Sequence, residues 1–302
     1  MAAGAAQDAA VHGFDTLRTH SHSAAHYLSG WSNVPTILAN GCEFYYELTG
    51  QGSDIVFIHG EIHGMDYWEY QLPEFARDYR CFAYNRRGHA RTQLPHYGFS
   101  LVNQTRDLAE LVEKLGIVRP VIIAVAFGTT IAANYAIQYP DRVKGLVLVA
   151  WSELHEAMQY FDRWKAYNEE ATQVLETKGR DAFIELLRRD AGKRIYKVIP
   201  LHEPVREKAI QLFASHPFEE YRSGMLELGS SVPDLVPPLR RLELPVLGLC
   251  GANDPYPDKP AVLAGMKNFR EAPMIPGAGR FVHWEQPQAF NAAVRTFVES
   301  LR

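Results

Sequence analysis

One stretch of the chain, residues 121–132, constrains the fold more than any other. It begins with the apolar run Val-Ile-Ile-Ala-Val, passes through Ala126 and Gly128, and continues with Thr-Thr-Ile-Ala. A short run without polar residues is typical of a strand that is buried on both faces of a parallel sheet. The small residues that follow allow a sharp turn and the start of a helix. This stretch therefore predicts a strand, a tight turn and a helix in direct succession.

The same alternation of strand and helix recurs along most of the chain. Asn40-Gly41 lies between two alternating runs and predicts a hairpin. Repeated strand–helix units favour an α/β fold, with a doubly wound, mostly parallel sheet and helices on both faces. The predicted strands are 36–38, 42–48, 55–58, 81–84, 121–125, 143–150, 245–250 and 272–275, and the predicted helices include 68–78, 103–115 and 287–301.

The alternation is interrupted by one long segment that is charged, helical in pattern and without strand runs. We therefore predict an N-terminal arm (1–35), an α/β core (36–152 and 241–302) and a helical cap (153–240) inserted into that core. The arm is rich in alanine, serine and histidine. Its histidines are irregularly spaced and lack acidic partners, so they do not indicate a metal site.

Composition excludes several classes of partner. The chain is 47% hydrophobic and carries a net charge of -4, so it has no basic field to attract nucleic acid or an anionic membrane. Three scattered cysteines predict reduced thiols, and no nucleotide-binding, phosphate-loop or metal motif is present. We expect a small-molecule substrate or ligand, no metal or cofactor, a monomer or homodimer, and a cytoplasmic location without a signal peptide or membrane span.

Five motifs follow one another in order along the chain. They are His59-Gly60, the loop 84–92, residues 124–128, the loop 251–255 and the terminal block 275–287. Together they resemble the α/β-hydrolase superfamily, in particular its capped esterase, lactonase and carbon–carbon hydrolase branch. Residues 124–128 are similar to the family's nucleophile elbow, G-x-S-x-G, which exposes its middle residue on a strained turn. The resemblance covers the chain from about Thr36 to the C-terminus and implies an eight-stranded sheet.

The resemblance assigns the family's catalytic positions residue by residue. Ala126 stands at the nucleophile position, Asp254 at the acid position and Arg280 at the position of the general-base histidine. The backbone N–H groups of Phe127 and Glu61 correspond to the oxyanion-hole donors. A methyl group cannot attack a substrate, and arginine stays protonated near neutral pH, so the family's acyl-enzyme mechanism is not available.

Several other side chains are candidates for new roles. Glu61 follows His59-Gly60 directly, so its carboxyl group could reach the cavity, where partial burial would raise its pKa and suit acid–base work. Arg280 can pair with Asp254 and bind an anionic or carbonyl oxygen with its remaining donors. The candidates to bind substrate are His59, His63, Trp68, Trp151, His283 and Trp284. The tryptophans are equally credible as core residues, and His63 is a second candidate to carry a proton. For His59 and His283 a structural role is favoured.

Three hypotheses for the function remain open. The first is a cofactor-independent enzyme of hydrolase or lyase type that acts on a small organic carbonyl compound by acid–base and oxyanion catalysis. The second is a serine hydrolase deliberately inactivated at Ala126, which leaves Arg280 unexplained. The third is a non-catalytic ligand-binding protein on a degenerate hydrolase fold.

Overall fold

The computed structural model describes residues 35–62, 64–193, 196–216, 224–256 and 260–302. They form one eight-stranded sheet with the strand order β1-β2-β4-β3-β5-β6-β7-β8. Strand β2 is antiparallel to β1 and β4, and the remaining neighbours are parallel. The strands are β1 (Thr36–Ala39), β2 (Cys42–Thr49), β3 (Asp54–Ile58), β4 (Arg80–Tyr84), β5 (Val121–Val125), β6 (Gly145–Val149), β7 (Val246–Leu249) and β8 (Phe269–Glu271). The predicted fold class is confirmed.

Helices cover the sheet and fill the inserted segment. The α-helices of the described residues are α1 (Leu72–Phe75), α2 (Leu101–Lys114), α3 (Phe127–Gln138), α4 (Glu153–Asp190), α5 (Val205–Ser215), α6 (Met225–Ser231), α7 (Val236–Arg240), α8 (Val282–Glu285) and α9 (Pro287–Glu299). Within the described ranges, no helix is long and apolar enough to cross a membrane. Residues 1–34 of the predicted arm lie outside the described residues.

The central strands are buried along their whole length. Every residue of β3, β5, β6 and β7 is buried, as expected where helices cover both faces of a parallel sheet. The predicted hairpin is also present, because Ala39 pairs with Cys42 across a two-residue turn. Both turn residues, Asn40 and Gly41, have positive φ angles (42° and 71°), which is the turn that an Asn-Gly pair favours.

Two predicted elements differ from the structure. The predicted helix 68–78 is a 3₁₀ helix (Met65–Trp68) followed by the separate helix α1. Pro73 lacks the N–H that a continuous helix would require and instead lies in the first turn of α1. The predicted strand 272–275 follows the observed β8, and Ile275 of the predicted run forms an isolated parallel bridge with Gly251.

The predicted cap segment, residues 153–240, contains α4 to α7, and its described residues form no strand. It leaves the sheet after β6 and returns before β7, so it is inserted at the carboxyl ends of the parallel strands. Loops at these ends are where α/β proteins place their ligand sites. The insertion therefore lies next to the edge of the sheet where the candidate residues were expected.

The turn between β5 and α3 is tightly constrained by its backbone conformation and its neighbours. Ala126 has φ 49° and ψ -128°, a conformation that is rare for a residue with a side chain. Its N–H donates to the Val149 carbonyl at 2.9 Å, and its carbonyl accepts from the Thr129 N–H at 2.8 Å. Two residues later, a Cβ on Gly128 would lie 2.6 Å from the His59 carbonyl oxygen. Helix α3 therefore begins in direct contact with the end of β3.

We expect Gly128→Ala to lower the free energy of unfolding by about 2–3 kcal/mol, because the added methyl group collides with backbone that cannot move aside. Urea unfolding followed by circular dichroism measures the change. Gly265→Ala is the matched control, since its Cβ would approach only the Arg240 side chain, at 3.7 Å. Equal stability of the two variants would contradict this account of the turn.

Candidate active site

A narrow cavity lies directly over the turn at Ala126. The space open to the centre of a water molecule is about 20 Å³, which is room for about one water. Val198 and Phe213 of the inserted segment form part of its wall, so two parts of the chain close it. The described residues that line it are Glu61, Tyr67, Ala126, Phe127, Val198, Phe213, Arg280 and Phe281.

The cavity brings together four of the residues that the sequence singled out. Glu61 comes from the loop after β3, Ala126 and Phe127 from the turn after β5, and Arg280 from the loop before α8. Phe127 begins α3, so its N–H belongs to the first turn of that helix. The N–H groups of a first helical turn and the helix dipole both favour negative charge at this end. The first turn of α3 therefore begins at the wall of the cavity.

Arg280 is held by two buried carboxylates. Its Nη1 donates to Asp254 Oδ2 at 3.2 Å, as predicted, and its Nη2 donates to Glu153 Oε1. The same nitrogen donates to the Ala150 carbonyl at 3.2 Å. The side chains of Asp254 and Glu153 are almost completely buried, and that of Arg280 is 6% exposed. We call Arg280, Asp254 and Glu153 the arginine triad.

The arginine triad holds two carboxyl groups against one guanidinium. Burial raises the pKa of the Asp254 carboxyl group and of the Glu153 carboxyl group, and Arg280 opposes both shifts. When both carboxylates are ionised, one guanidinium faces two negative charges. A further anion placed beside Arg280 would therefore be repelled, whereas a neutral carbonyl oxygen would not. This charge balance disfavours the anionic ligand that the sequence left open.

Glu61 belongs to a second buried cluster that also reaches the cavity wall. Its Oε2 accepts from Arg86 Nη2 at 3.0 Å, and its Oε1 lies 3.2 Å from His89 Nε2. All three side chains are at most 2% exposed. Arg86 also donates to the Gly60 carbonyl at 2.9 Å and to Gln104 Oε1 at 2.7 Å. The Glu61 carboxyl group is thus fixed in place at the cavity wall.

Two of the histidines proposed from sequence, His59 and His283, pack in the structure and do not belong to the described cavity wall. His59 Nδ1 donates to the Gly60 carbonyl at 2.7 Å and Nε2 accepts from the Arg86 N–H at 2.9 Å, which fixes the neutral ring. His283 is fully buried with its ring centre 3.9 Å from that of Tyr67. Burial lowers the pKa of His283 well below its usual value, so this ring is neutral. His63 lies outside the described residues.

The three candidate tryptophans pack away from the described cavity wall. Trp68 packs against Phe57, with ring centres 5.2 Å apart, between the sheet and α1. Trp151 contacts Phe269 of β8 at 6.2 Å. The ring of Trp284 lies 4.2 Å from the Lys208 ammonium group of α5. Their large apolar surfaces are buried by the core and by contacts between the C-terminal block and the inserted segment.

Two site residues escaped the sequence analysis. Tyr67 lines the cavity, and burial raises the pKa of its phenol well above the usual value, so it stays a neutral hydrogen-bond donor. Glu153 completes the arginine triad from the first turn of α4. One signal was available for both, because each residue lies shortly after a predicted strand, where parallel strands present their carboxyl ends.

Known proteins match this chain over most of its length. A family model described as alpha/beta hydrolase fold matches residues 55–287. Epoxide hydrolase 1 of Caenorhabditis elegans is 24% identical over 96% of this chain and 76% of its own. The 2-(acetamidomethylene)succinate hydrolase of Mesorhizobium japonicum is 23% identical over 91% and 96% of the two chains. A thermophilic esterase structure from Thermogutta terrifontis has a TM-score of 0.72 at 23% identity, covering 86% and 94%.

We expect Arg280→Met to lower the free energy of unfolding at pH 7 by roughly 3–5 kcal/mol, because it leaves two carboxylates buried without their cation. The folded pKa values of Asp254 and Glu153 already lie above their usual values of 3.8 and 4.5. Removal of the cation raises them further, so the folded variant binds extra protons and loses stability as pH rises above about 4.5. Urea unfolding at pH 5 and pH 8 measures this slope.

Two further variants make that experiment specific. Arg280→Met combined with Glu153→Gln should recover part of the lost stability, because one of the two stranded charges is gone. Arg188→Met removes a surface guanidinium that pairs with Glu185 and Glu207, and it should unfold much like the wild type. A deficit of Arg280→Met that is equal at both pH values would refute the charge imbalance.

Proposed function

Because the chain belongs to the α/β-hydrolase fold family, we propose that it is an enzyme that acts on a small organic carbonyl compound. An ester, a lactone or a ring-cleavage product fits this class. Catalysis proceeds by oxyanion stabilisation and proton transfer, without a covalent serine. Ala126 occupies the nucleophile position of the family and Arg280 occupies the position of its general-base histidine, so water is the attacking group in hydrolysis.

The conformation of Ala126 carries this proposal. A residue at φ 49° and ψ -128° stores strain on the order of 1–3 kcal/mol, which persists only where the surroundings impose it. The methyl side chain of alanine has no chemical role that would require this strained conformation. The turn puts the start of α3 at the cavity wall, and we assign its first N–H groups to the stabilisation of a developing oxyanion. The binding frame is kept although the attacking group is absent.

The arginine triad is evidence that this site differs from the site of a serine hydrolase at more than one residue. Arg280 contacts both Asp254 and Glu153, whereas a base histidine needs a single carboxylate to orient it. A Ser→Ala replacement at position 126 accounts for the missing nucleophile alone. It does not account for a guanidinium that is buried between two carboxylates. The hypothesis of a hydrolase inactivated at one position is therefore the weaker explanation.

The substrate that suits this cavity is uncharged where it meets Arg280. Phe127, Val198, Phe213 and Phe281 supply apolar wall, and the arginine triad disfavours an added negative charge. The neutral phenol of Tyr67 offers a donor to a carbonyl oxygen without changing the charge. A neutral ester or lactone meets these conditions better than a carboxylate does.

Glu61 is the group that we assign to proton transfer. It is the carboxyl group on the described wall of the cavity, and Arg86 and His89 fix its position. A water molecule fits the free space between this wall and Ala126. Attack of that water on the carbonyl carbon needs a group that exchanges protons with water and with the leaving oxygen, and such a group contributes about 10²–10⁴-fold to the rate.

One observation favours a second candidate function, non-catalytic ligand binding. Arg280 contacts Asp254, Glu153, Ser152 and the Ala150 carbonyl, as a structural cation would. In this case a ligand occupies the cavity without reacting. Ligand-induced thermal stabilisation with no turnover of any compound in the panel below distinguishes this function from the enzyme.

We expect Glu61→Gln to lower turnover by about 100-fold or more, because the amide cannot exchange a proton. Ala126→Ser should change turnover by only a few fold, since Arg280 cannot activate the new hydroxyl group. The measurement is hydrolysis of uncharged p-nitrophenyl esters and of five- and six-membered lactones. Arg188→Met, on the surface of the inserted segment, is the control.

A large gain in activity with Ala126→Ser alone would show that a serine mechanism had been interrupted. Retention of full turnover by Glu61→Gln would remove Glu61 from the mechanism.

A lactone and the anion of its hydroxy acid test the preference for a neutral ligand, because they differ by one water molecule and one negative charge. δ-Valerolactone should bind to the Glu61→Gln variant at least about tenfold more tightly than 5-hydroxyvalerate does. Calorimetry at pH 7 measures both affinities. With Glu153→Gln added, the difference should shrink, since the triad then holds one negative charge less. Tighter binding of the anion would contradict the charge argument.

A further inference from the structure

The contact between Glu61 and His89 requires one proton more than an ionised carboxylate and a neutral imidazole hold together. His89 Nδ1 lies 2.9 Å from the Arg87 carbonyl oxygen, which can only accept a hydrogen bond. Nδ1 therefore carries a hydrogen. In a neutral imidazole the other nitrogen, Nε2, is then an acceptor. Nε2 faces Glu61 Oε1 at 3.2 Å, and an ionised carboxylate oxygen is also an acceptor.

Two acceptors at this distance, buried together, would repel each other. Both side chains are at most 2% exposed, so bulk water does not screen them. One additional proton changes the contact into a hydrogen bond, either as imidazolium with carboxylate or as imidazole with carboxylic acid. The other carboxylate oxygen, Oε2, accepts from Arg86 at 3.0 Å, so the proton belongs on the His89 side of the group.

We propose that Glu61 and His89 share one proton and act together as the acid–base group of the cavity. This inference deepens the proposed function and rests on it for its role in turnover. Glu61 touches the cavity, whereas His89 lies behind it and acts through Glu61, so His89 is a positioning residue. Nothing in the sequence motif of this loop, Gly88-His89-Ala90, suggested such a role.

The chemical step balances without any further reactant. The oxygen of water forms a bond to the carbonyl carbon, and the bond from that carbon to the leaving oxygen breaks. The shared proton moves from the pair to the leaving oxygen. One proton of the attacking water then replaces it between Glu61 and His89. The pair ends the reaction in the state in which it began, with an acid and an alcohol as products.

The groups around the pair set its affinity for the proton. His59 lies 5.1 Å from His89 between ring centres and is neutral, as its hydrogen bonds require. His216, at the end of α5, meets His89 with ring centres 4.9 Å apart. Burial lowers the pKa of His216 well below its usual value and lowers that of His89 as well, with Arg86 adding to the effect on His89. Glu61 opposes this shift of the His89 pKa.

Through His216, the inserted segment contacts His89, one of the two residues that share the proton. It is 5% exposed and belongs to the same part of the chain as Phe213, which lines the cavity. When this segment covers the cavity, it therefore also covers His89 with a neutral ring. The proton is then shielded from bulk water at the stage when the substrate is enclosed.

The first test needs no substrate. In protein labelled with ¹⁵N in the histidine rings and ¹³C in the glutamate carboxyl groups, His89 should show a protonated Nδ1. Either a protonated Nε2 or a protonated Glu61 carboxyl group should accompany it at pH 7. In Glu61→Gln, Nε2 of His89 should become unprotonated. His283, whose ring nitrogens have no hydrogen-bond partner among the described residues, is the internal reference.

An unprotonated Nε2 together with an ionised Glu61 in the wild type would overturn the shared proton. His89→Gln assigns the ring signals through the peaks that it removes. If that variant does not fold, Glu61→Gln still gives the comparison, because it leaves His89 in place.

The second test measures turnover against pH with the esters and lactones named above. A group that donates a proton gives a kcat that falls at high pH, and this fall should disappear in His89→Gln, with kcat lowered about tenfold or more and KM little changed. The double variant Glu61→Gln, His89→Gln should be no slower than Glu61→Gln alone. His202→Gln, on the inserted segment, is the control.

The two tests distinguish failure of the shared proton from failure of the proposed function. A shared proton by spectroscopy without any turnover would overturn the proposed function and leave the pair intact as a buried charge site. Turnover with no shared proton, or with the same pH profile in His89→Gln, would overturn the pair and leave the proposed function in place.

Discussion

The turn at Ala126 is the constraint on which the rest of the site depends. It fixes where β5 ends and α3 begins, and the close approach of Gly128 to the His59 carbonyl joins that helix to the end of β3. Because His59 in turn holds Gly60 and the Arg86 backbone, the loops after β3 and β4 are set by the same contact. A small displacement of this turn would move the part of the cavity wall that Glu61, Ala126 and Phe127 supply.

The two buried charged clusters that reach the cavity wall differ in the balance of their groups. The arginine triad holds two carboxyl groups against one guanidinium. In the second cluster, Arg86 and His89 contact the single carboxyl group of Glu61. With both triad carboxylates ionised and the proposed proton in place, the first cluster has a net negative charge and the second a net positive charge. Such fixed charges act on the dipole of a bound carbonyl group before any bond changes.

Most of the fold could be predicted from local sequence, because its strands are buried on both faces and therefore read as continuous apolar runs. Val121–Val125 and Asp54–Ile58 are the clearest cases, and Asn40-Gly41 marked the hairpin by its backbone preference. Prediction failed where one residue changed the hydrogen bonding of an otherwise suitable run, as Pro73 did in the predicted helix 68–78. The family motifs located Asp254 and Arg280 by their order along the chain, and the structure pairs them.

The remaining site residues could not be predicted, because they depend on contacts between distant segments. Glu153 begins a helix in the inserted segment, and its partner Arg280 lies more than a hundred residues later. Burial of Arg86 likewise depends on Gln104 in α2, which no local pattern reveals. The large aromatic residues caused the opposite error, because they were proposed for the site and are not part of it. Trp68 and Trp151 are of a residue type that is common in binding pockets, but both are buried in the core.

Phe213 and Val198 make the cavity wall a part of the inserted segment, and this has a kinetic consequence. Free space for about one water cannot admit an ester or a lactone unless these side chains withdraw. A compound must then wait for these side chains to withdraw both when it enters and when it leaves. This opening step is the same for a compound that binds tightly and for one that binds weakly. Residence time in such a site reports the frequency of that opening as much as the strength of any contact inside.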